Sequence, residues 1–183
     1  MTSSVFEGQR VRLGAMDPER DAKLFVQWDQ DSEYQVLLSA GPANRFSAKQ
    51  VQEWLEKERK GEYEFAIFDR ATEKVIGTLG IGGIDWSAGD CWVGIGIGER
   101  EYWGKGYGTE ALNLLVGFAF LELNMRRVTL NYFEYNERGR KSYDKVGFKE
   151  EGRIRQWMNR NGRRWDVIFM GLLRREWEAL QHN

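Results

Sequence analysis

Two short segments of this chain combine residue types and spacings that suit chemistry. The first is Trp103-Gly104-Lys105-Gly106-Tyr107-Gly108-Thr109-Glu110-Ala111. Three glycines and a lysine stand just ahead of an apolar stripe, Ala111, Leu112, Leu115, Val116, Ala119 and Leu123, which has helical spacing. Backbone N–H groups at a helix start have no intrahelical acceptor and carry partial positive charge. Glycine lets that backbone approach an anion without a Cβ in the way, and Lys105 adds a formal charge. The chemistry implied is pyrophosphate binding; a ligand-free glycine turn is the alternative. The second segment is Asn136-Glu137-Arg138-Gly139-Arg140-Lys141-Ser142-Tyr143. Asn136 opens a helix and Tyr143 lies two turns on, near the same face, so both can point into one cleft. A plain N-cap and a packed aromatic are the simpler readings of these two.

The glycine spacing fits neither of two familiar phosphate loops. A Walker loop needs Gly-x-x-x-x-Gly-Lys-Ser/Thr, and a dinucleotide fingerprint needs Gly-x-Gly-x-x-Gly. Here it is Gly-x-Gly-x-Gly, after several strands.

The elements that must position these residues read as follows. Residues 5–13 alternate as a first strand. Asp17-Pro18 opens a helix to about Gln30, and Ser47 caps another over 48–60, ended by Gly61. Strands are expected at 63–69, 74–84 and 92–97 as an antiparallel meander. The glycine turn and its helix follow, then a strand at 127–133 and a helix at 137–146 stopped by Gly147. Residues 148–172 read as a hairpin about Asn161-Gly162, the type I′ pair. That register puts Arg160 opposite Arg163 and Trp157 opposite Asp166. It assigns Ile154, Met158, Trp165, Val167 and Phe169 to the core face. Arg153, Arg155, Trp157, Asn159, Arg164 and Asp166 take the other face. The fold class expected is α/β (α+β): one domain over 1–183, with a mixed, mostly antiparallel sheet of about seven strands and about four flanking helices.

At this point the sequence resembles the GNAT superfamily of N-acetyltransferases. Their loop reads Gln/Arg-x-x-Gly-x-Gly/Ala; Gly106 and Gly108 match it, while Trp103 stands in the Gln/Arg position. The run W-G-K-G-Y-G-T-E-A looks like the subgroup that includes ribosomal-protein N-terminal acetyltransferases and spermidine acetyltransferases. The likeness extends from Trp28-Asp29-Gln30-Asp31-Ser32-Glu33 to G-R-R-W-D-V-I-F-M near the end. Asn136 through Gly147-Phe148 is similar to the family's second signature.

The resemblance implies acetyl-coenzyme A as acetyl donor and direct attack on it by a primary amine, either a protein N-terminus, a polyamine or another small amine. It implies cofactor contacts from Ile95, Gly96 and Ile97, from Tyr102, Trp103, Gly104, Lys105, Gly106, Tyr107, Gly108 and Thr109, and from Asn136. A backbone N–H of 95–97 would face the oxyanion, and Tyr143 would be the general acid. A thiolate leaves with a pKa of about 8.5, so a tyrosine at about 10 is a suitable donor. Glu33, Trp157 and Asp166 are the candidates for holding the acceptor ammonium, as would segment 40–46 around it. The base is unassigned: relatives carry Glu where this chain has Trp92, and Asp85, Asp90, Glu99 and Glu134 are near only in sequence.

Composition bounds the alternatives. Net charge is −1, which argues against a whole-molecule field for nucleic acid, although Arg153, Arg155, Arg160, Arg163 and Arg164 with Trp157 and Trp165 form a local basic, aromatic hairpin. A non-catalytic acetyl-coenzyme A sensor is the other alternative. Cys91 is the only cysteine, so no intrachain disulfide forms; a cytoplasmic location and a packing role for its thiol are expected. His182 is the only histidine and lies by the chain end, which sets aside His-based mechanisms, and no His/Cys cluster offers a metal site. No apolar run spans a membrane, and a homodimer is left open.

Overall fold

Alternation along the second strand explains the layering. In the computed structural model, which describes residues 4–57 and 60–181, β2 (Tyr63–Asp69) sends Ile67 into one apolar cluster and Ala66 and Phe68 into another. Successive side chains leave a strand on opposite faces, so each face needs its own cover. The strands are β1 (Val11–Gly14), β2, β3 (Val75–Asp85), β4 (Asp90–Ile97), β5 (Arg127–Phe133), β6 (Lys149–Arg160) and β7 (Arg163–Leu173). They form one sheet in the order β1-β2-β3-β4-β5-β7-β6, antiparallel throughout except where β4 and β5 run parallel.

Among the described residues, six α-helices flank the sheet: α1 (Pro18–Trp28), α2 (Ser32–Leu38), α3 (Ala48–Leu55), α4 (Tyr107–Leu121), α5 (Glu137–Val146) and α6 (Arg174–Gln181). Asp17 caps α1 with Pro18 in the first turn, Asp31 caps α2, and Ser47 with Gln50 forms a capping box on α3. Helix α4 buries Leu112, Leu115, Val116 and Phe120 against the sheet; each such side chain contributes about 1.5–3 kcal/mol. Trp177 of α6 packs beside the same helix, 5.4 Å from Phe120 between ring centroids. Among the described residues no helix is long and apolar enough to cross a membrane.

Four expectations change. The first strand begins at Val11 rather than residue 5, because the Gly8 and Leu13 amides bond to Val11 and Phe6 and fold the segment into a small turn. Helix α3 ends at Leu55, and residues 58 and 59 of the expected 48–60 helix, like His182, lie outside the described residues. Helices α2 and α6 add to the four expected. The hairpin does turn at Asn161 and Gly162, both at positive φ, with Arg160 opposite Arg163. Its register then shifts: Met158 pairs with Trp165 but Ile154 with Val167, so residues 155–157 bulge out opposite Asp166 alone. Trp157 therefore does not face Asp166, and Ile154 is 47% exposed rather than core.

Candidate active site

Strands β4 and β5 pair only over Asp90–Trp92 and Arg127–Thr129. Beyond that point they part, and a cavity of about 710 Å³ opens in the split. Its walls are Trp92 to Ile97 on one side and Leu130 to Phe133 on the other, with the glycine loop and α5 above and α2 beside it. The run Gly94-Ile95-Gly96-Ile97-Gly98 sets up both faces of β4. Ile95 and Ile97 point at Gly108 on α4, while the other face is bare. A Cβ at Gly98 would overlap the Trp28 ring, and one at Gly96 would lie 2.8 Å from Tyr34 Oη. Glycine on that face is what lets the end of α1 and the start of α2 sit directly on the strand.

The glycine loop leaves a 3₁₀ turn, Arg100–Tyr102, and enters α4 through Gly106 at φ 88°, with no side chain capping the helix. The first-turn amides therefore have no side-chain acceptor. The loop is held from several directions. Trp103 Nε1 donates to the Ile97 carbonyl at 2.7 Å. Arg138 stacks 3.6 Å from the centre of the Trp103 ring and Arg100 lies 4.8 Å away, near the same ring. Arg10 donates to the Lys105 carbonyl at 2.7 Å and pairs with Glu110 at 3.0 Å. Tyr102 donates to Asp69 and packs edge-on against Tyr107. The Thr109 and Ser142 hydroxyls, 3.2 Å apart, link α4 to α5.

Of the twelve residues expected to bind cofactor, Ile95, Gly96, Ile97, Tyr102, Trp103, Gly104, Gly106, Gly108, Thr109 and Asn136 line the cavity. Lys105 and Tyr107 line a separate depression with Asp69, Thr72 and Lys74. Asn136 caps α5 by accepting from the Gly139 amide at 2.9 Å and faces the same cavity, so the cap and the lining position coexist.

Tyr143 lines the cavity at 9% exposure, between Tyr132 and Phe148. Burial, then the neighbouring Tyr132, push its hydroxyl up to about 12, so it keeps its proton at neutral pH. Cys91 is fully buried outside the lining, and burial followed by Asp90 raises its thiol to about 12. It packs in the core and supplies no thiolate.

The expected acceptor residues do not line this cavity. Glu33 is paired with Arg100 at 2.7 Å on the outside of α2. Asp166 accepts from the Gln156 amide at 2.8 Å and from Arg153 at 3.3 Å. Trp157, half exposed, stacks on Phe133, itself a lining residue, at 6.3 Å and 12°. The structure brings none of these three carboxylate or indole groups onto the cavity wall. Of segment 40–46, the Gly41 carbonyl, with that of Ser39, accepts from Arg160 at 3.1 and 2.9 Å. Arg163 stacks on Trp165 at 3.9 Å, so three of the hairpin's five arginines are engaged within the chain.

The four acids near in sequence are also engaged. Asp85 caps a turn, Asp90 accepts from Thr129, and Glu134 accepts from the Asp166 amide. Burial raises the Glu99 carboxyl, but Lys74 and the Trp28 indole together hold it below its ordinary value. The lining's one carboxylate among the described residues is Glu137, paired with Arg140. Among the lining residues missed from sequence are Tyr34, Leu37 and Leu38 of α2, Phe133 of β5, and Arg138, Lys141 and Lys145 of α5. The Asp31-Ser32 start was a legible helix cap; nothing local said which face would be covered.

The mixed sheet thus splits between its parallel central strands, and an uncapped helix start opens into the split. The chain belongs to the GNAT acetyltransferase family: the acetyltransferase (GNAT) domain model matches residues 10–149. It is similar to the uncharacterized N-acetyltransferase p20 of Bacillus licheniformis, 30% identical over 92% of this chain and 96% of that one. It is also similar to the ribosomal protein uS5-alanine N-acetyltransferase of Escherichia coli, 25% identical over 63% of this chain and 59% of that one. The fold matches spermidine N-acetyltransferase from Vibrio cholerae in complex with CoA and spermine, with a TM-score of 0.83 at 22% identity over 93% and 99% of the two chains.

Proposed function

We propose that the cavity binds acetyl-coenzyme A through the glycine loop and passes its acetyl group to a primary amine by direct attack with both substrates bound. The observation that carries this reading is the shared cavity. The uncapped start of α4, the edge of β4 and Tyr143 all line the split between β4 and β5. The loop amides would hold the pyrophosphate, and Asn136 and the edge of β4 would line the pantetheine arm. A backbone N–H of 95–97 would face the oxyanion. Tyr143 would return a proton to the leaving thiolate, a role that suits a hydroxyl kept neutral by burial.

The lining also bears on the acceptor. The α2 side carries Tyr34, Leu37, Leu38, Trp92 and Phe133. Arg138, Lys141 and Lys145 face the same space against the single Glu137. That balance disfavours a polycation and favours a monoamine borne on an apolar group. An α-amine, with a pKa of about 8, also loses its proton to water more readily than a lysine-like amine at about 10.4. Glu137 is held by Arg140, so we assign proton removal to water in the cavity. The same lack of a free base supports a second reading, cofactor binding without turnover.

The test is thiol release from acetyl-coenzyme A with an alanyl peptide, n-butylamine and spermidine as acceptors. Turnover highest with the peptide fits the proposal. Spermidine as the best acceptor overturns the acceptor assignment, and binding with no release supports the sensor reading.

A further inference from the structure

Among the described residues, one buried polar side-chain atom of the cavity-lining residues has no protein partner. Tyr34 is 4% exposed, and its hydroxyl oxygen is fully enclosed with no hydrogen bond. A buried hydroxyl left unpaired is costly, and in most folded proteins such a group finds a partner. The ring itself is well fixed. It stands in the first turn of α2, which Asp31 caps and Arg100 ties down through Asp31 and Glu33, and it meets Trp28 edge-on at 6.3 Å. The hydroxyl reaches over Gly96, where the missing side chain leaves it room. Leu37 and Leu38, one turn further along α2, carry the same wall outward, and Leu38 is half exposed. Burial, then the Asp29 carboxylate, raises the Tyr34 pKa, so the group is a neutral phenol with a free lone pair and a free O–H.

Resting on the reading of the cavity as an amine acetylation site, we propose that Tyr34 is an acceptor-binding residue. Its oxygen accepts a hydrogen bond from the N–H of the incoming amine and holds the nitrogen over Gly96, while Leu37 and Leu38 pack against the carbon that bears it. The neighbourhood supports this direction of binding. The phosphate-binding loop and Tyr143 approach β4 from the α4 and α5 side, whereas Tyr34 comes from the opposite layer. A neutral oxygen suits the task, because it stabilises the ammonium form, which cannot attack, far less than a carboxylate would.

Tyr34→Phe removes one oxygen and leaves the ring. Two readouts separate this proposal from a structural role and from the function assignment. First, the melting temperature of the free variant is expected to hold or rise, since the lost atom had no partner; a fall would mean the hydroxyl is structural. Second, the protein saturated with coenzyme A is titrated with the alanyl peptide and with n-butylamine, and the amine-induced rise in melting temperature is read without any turnover. Wild type is expected to gain from at least one amine and Tyr34→Phe to lose most of that gain, with coenzyme A affinity unchanged. Where turnover is measurable, kcat/KM for the amine falls at least tenfold while KM for acetyl-coenzyme A moves less than twofold. Equal gains in the two proteins, or none in wild type, overturn the proposal. Amine binding that depends on Tyr34 without turnover would uphold it while refuting acetyl transfer.

Discussion

The Trp103 indole N–H donates to the Ile97 carbonyl across 2.7 Å, tying the glycine loop to the strand that edges the cavity. The loop proposed to hold phosphate and the strand proposed to face the thioester are thus tied together by this side chain. Arg138 and Arg100 on the same ring extend the link to α5 and, through Asp31 and Glu33, to α2. The family's usual Gln or Arg would not supply an indole platform for two guanidinium groups.

Replacing Trp103 with Phe keeps a ring but removes the donor. The Ile97 carbonyl loses its partner, at a cost of about 1 kcal/mol. Melting curves should show that modest loss, and KM for acetyl-coenzyme A should rise several-fold while kcat changes less. An unaltered KM would mean the indole bond only stabilises the fold.

Gly106→Val should abolish the rise in melting temperature that acetyl-coenzyme A gives the wild type. Gly106 sits at φ 88°, and a Cβ there would come 2.9 Å from Arg10. A β-branched residue in that conformation costs about 1–3 kcal/mol, so the unliganded variant should also melt lower. Gly104→Ala is the control: its φ is 71° but a Cβ there meets nothing within 4 Å, so strain appears without crowding. A full ligand shift retained by Gly106→Val would move the phosphate site elsewhere.

Tyr143→Phe should leave folding and cofactor affinity in place and lower turnover by roughly 10- to 1000-fold. Wild-type rate should show no alkaline loss attributable to this residue until pH nears 12, because its hydroxyl titrates at about 12. Steady-state rates from pH 7 to 10 with both proteins decide the matter; equal rates would assign thiolate protonation to water.

Alkaline stability follows from the same burial. Tyr143 and Cys91 both hold their protons to about 12 in the folded chain, above their ordinary values of 10.0 and 9.0. The unfolded chain therefore releases protons first. The stabilisation is full below about pH 9 and is lost as pH rises from there through 12. Melting temperature should fall across that window, and less steeply in Cys91→Ala than in wild type. Parallel curves would show that neither burial nor its proton is linked to unfolding there.

Asp166→Ala should destabilise the protein without selecting between substrates. Its carboxylate holds the Gln156 amide, at φ 53°, and Arg153 at the β6 bulge. Losing both contacts costs about 1–3 kcal/mol. Asp166→Asn, which can still accept from Gln156, should lose less. A selective rise in acceptor KM in a stably folded Asp166→Asn would return this residue to the acceptor pocket.

Local chemistry made much of this protein readable in advance. The caps at Asp17, Ser47 and Asn136, the Gly147 stop and the Asn161-Gly162 turn act over a few residues, and each lies where its residue types dictate. The strand alternation and the apolar stripe of α4 followed from the same short-range periodicity. The glycine loop and Tyr143 were legible as cavity-lining residues because their spacing within one helix start and one helix face turns them toward one space. Tertiary structure alone decided the rest. Whether β4 and β5 stay paired or part depends on how two strands about 30 residues apart splay under their helices, and the cavity exists only because they part. The bulge that separates Trp157 from Asp166 is one register shift in a long hairpin, invisible to alternation and enough to move every residue beyond it. Tyr34 joins Gly96, 62 positions away, only because glycine leaves that face of β4 bare for α2. Periodicity states which face of an element is apolar, but packing between distant segments chooses what that face meets.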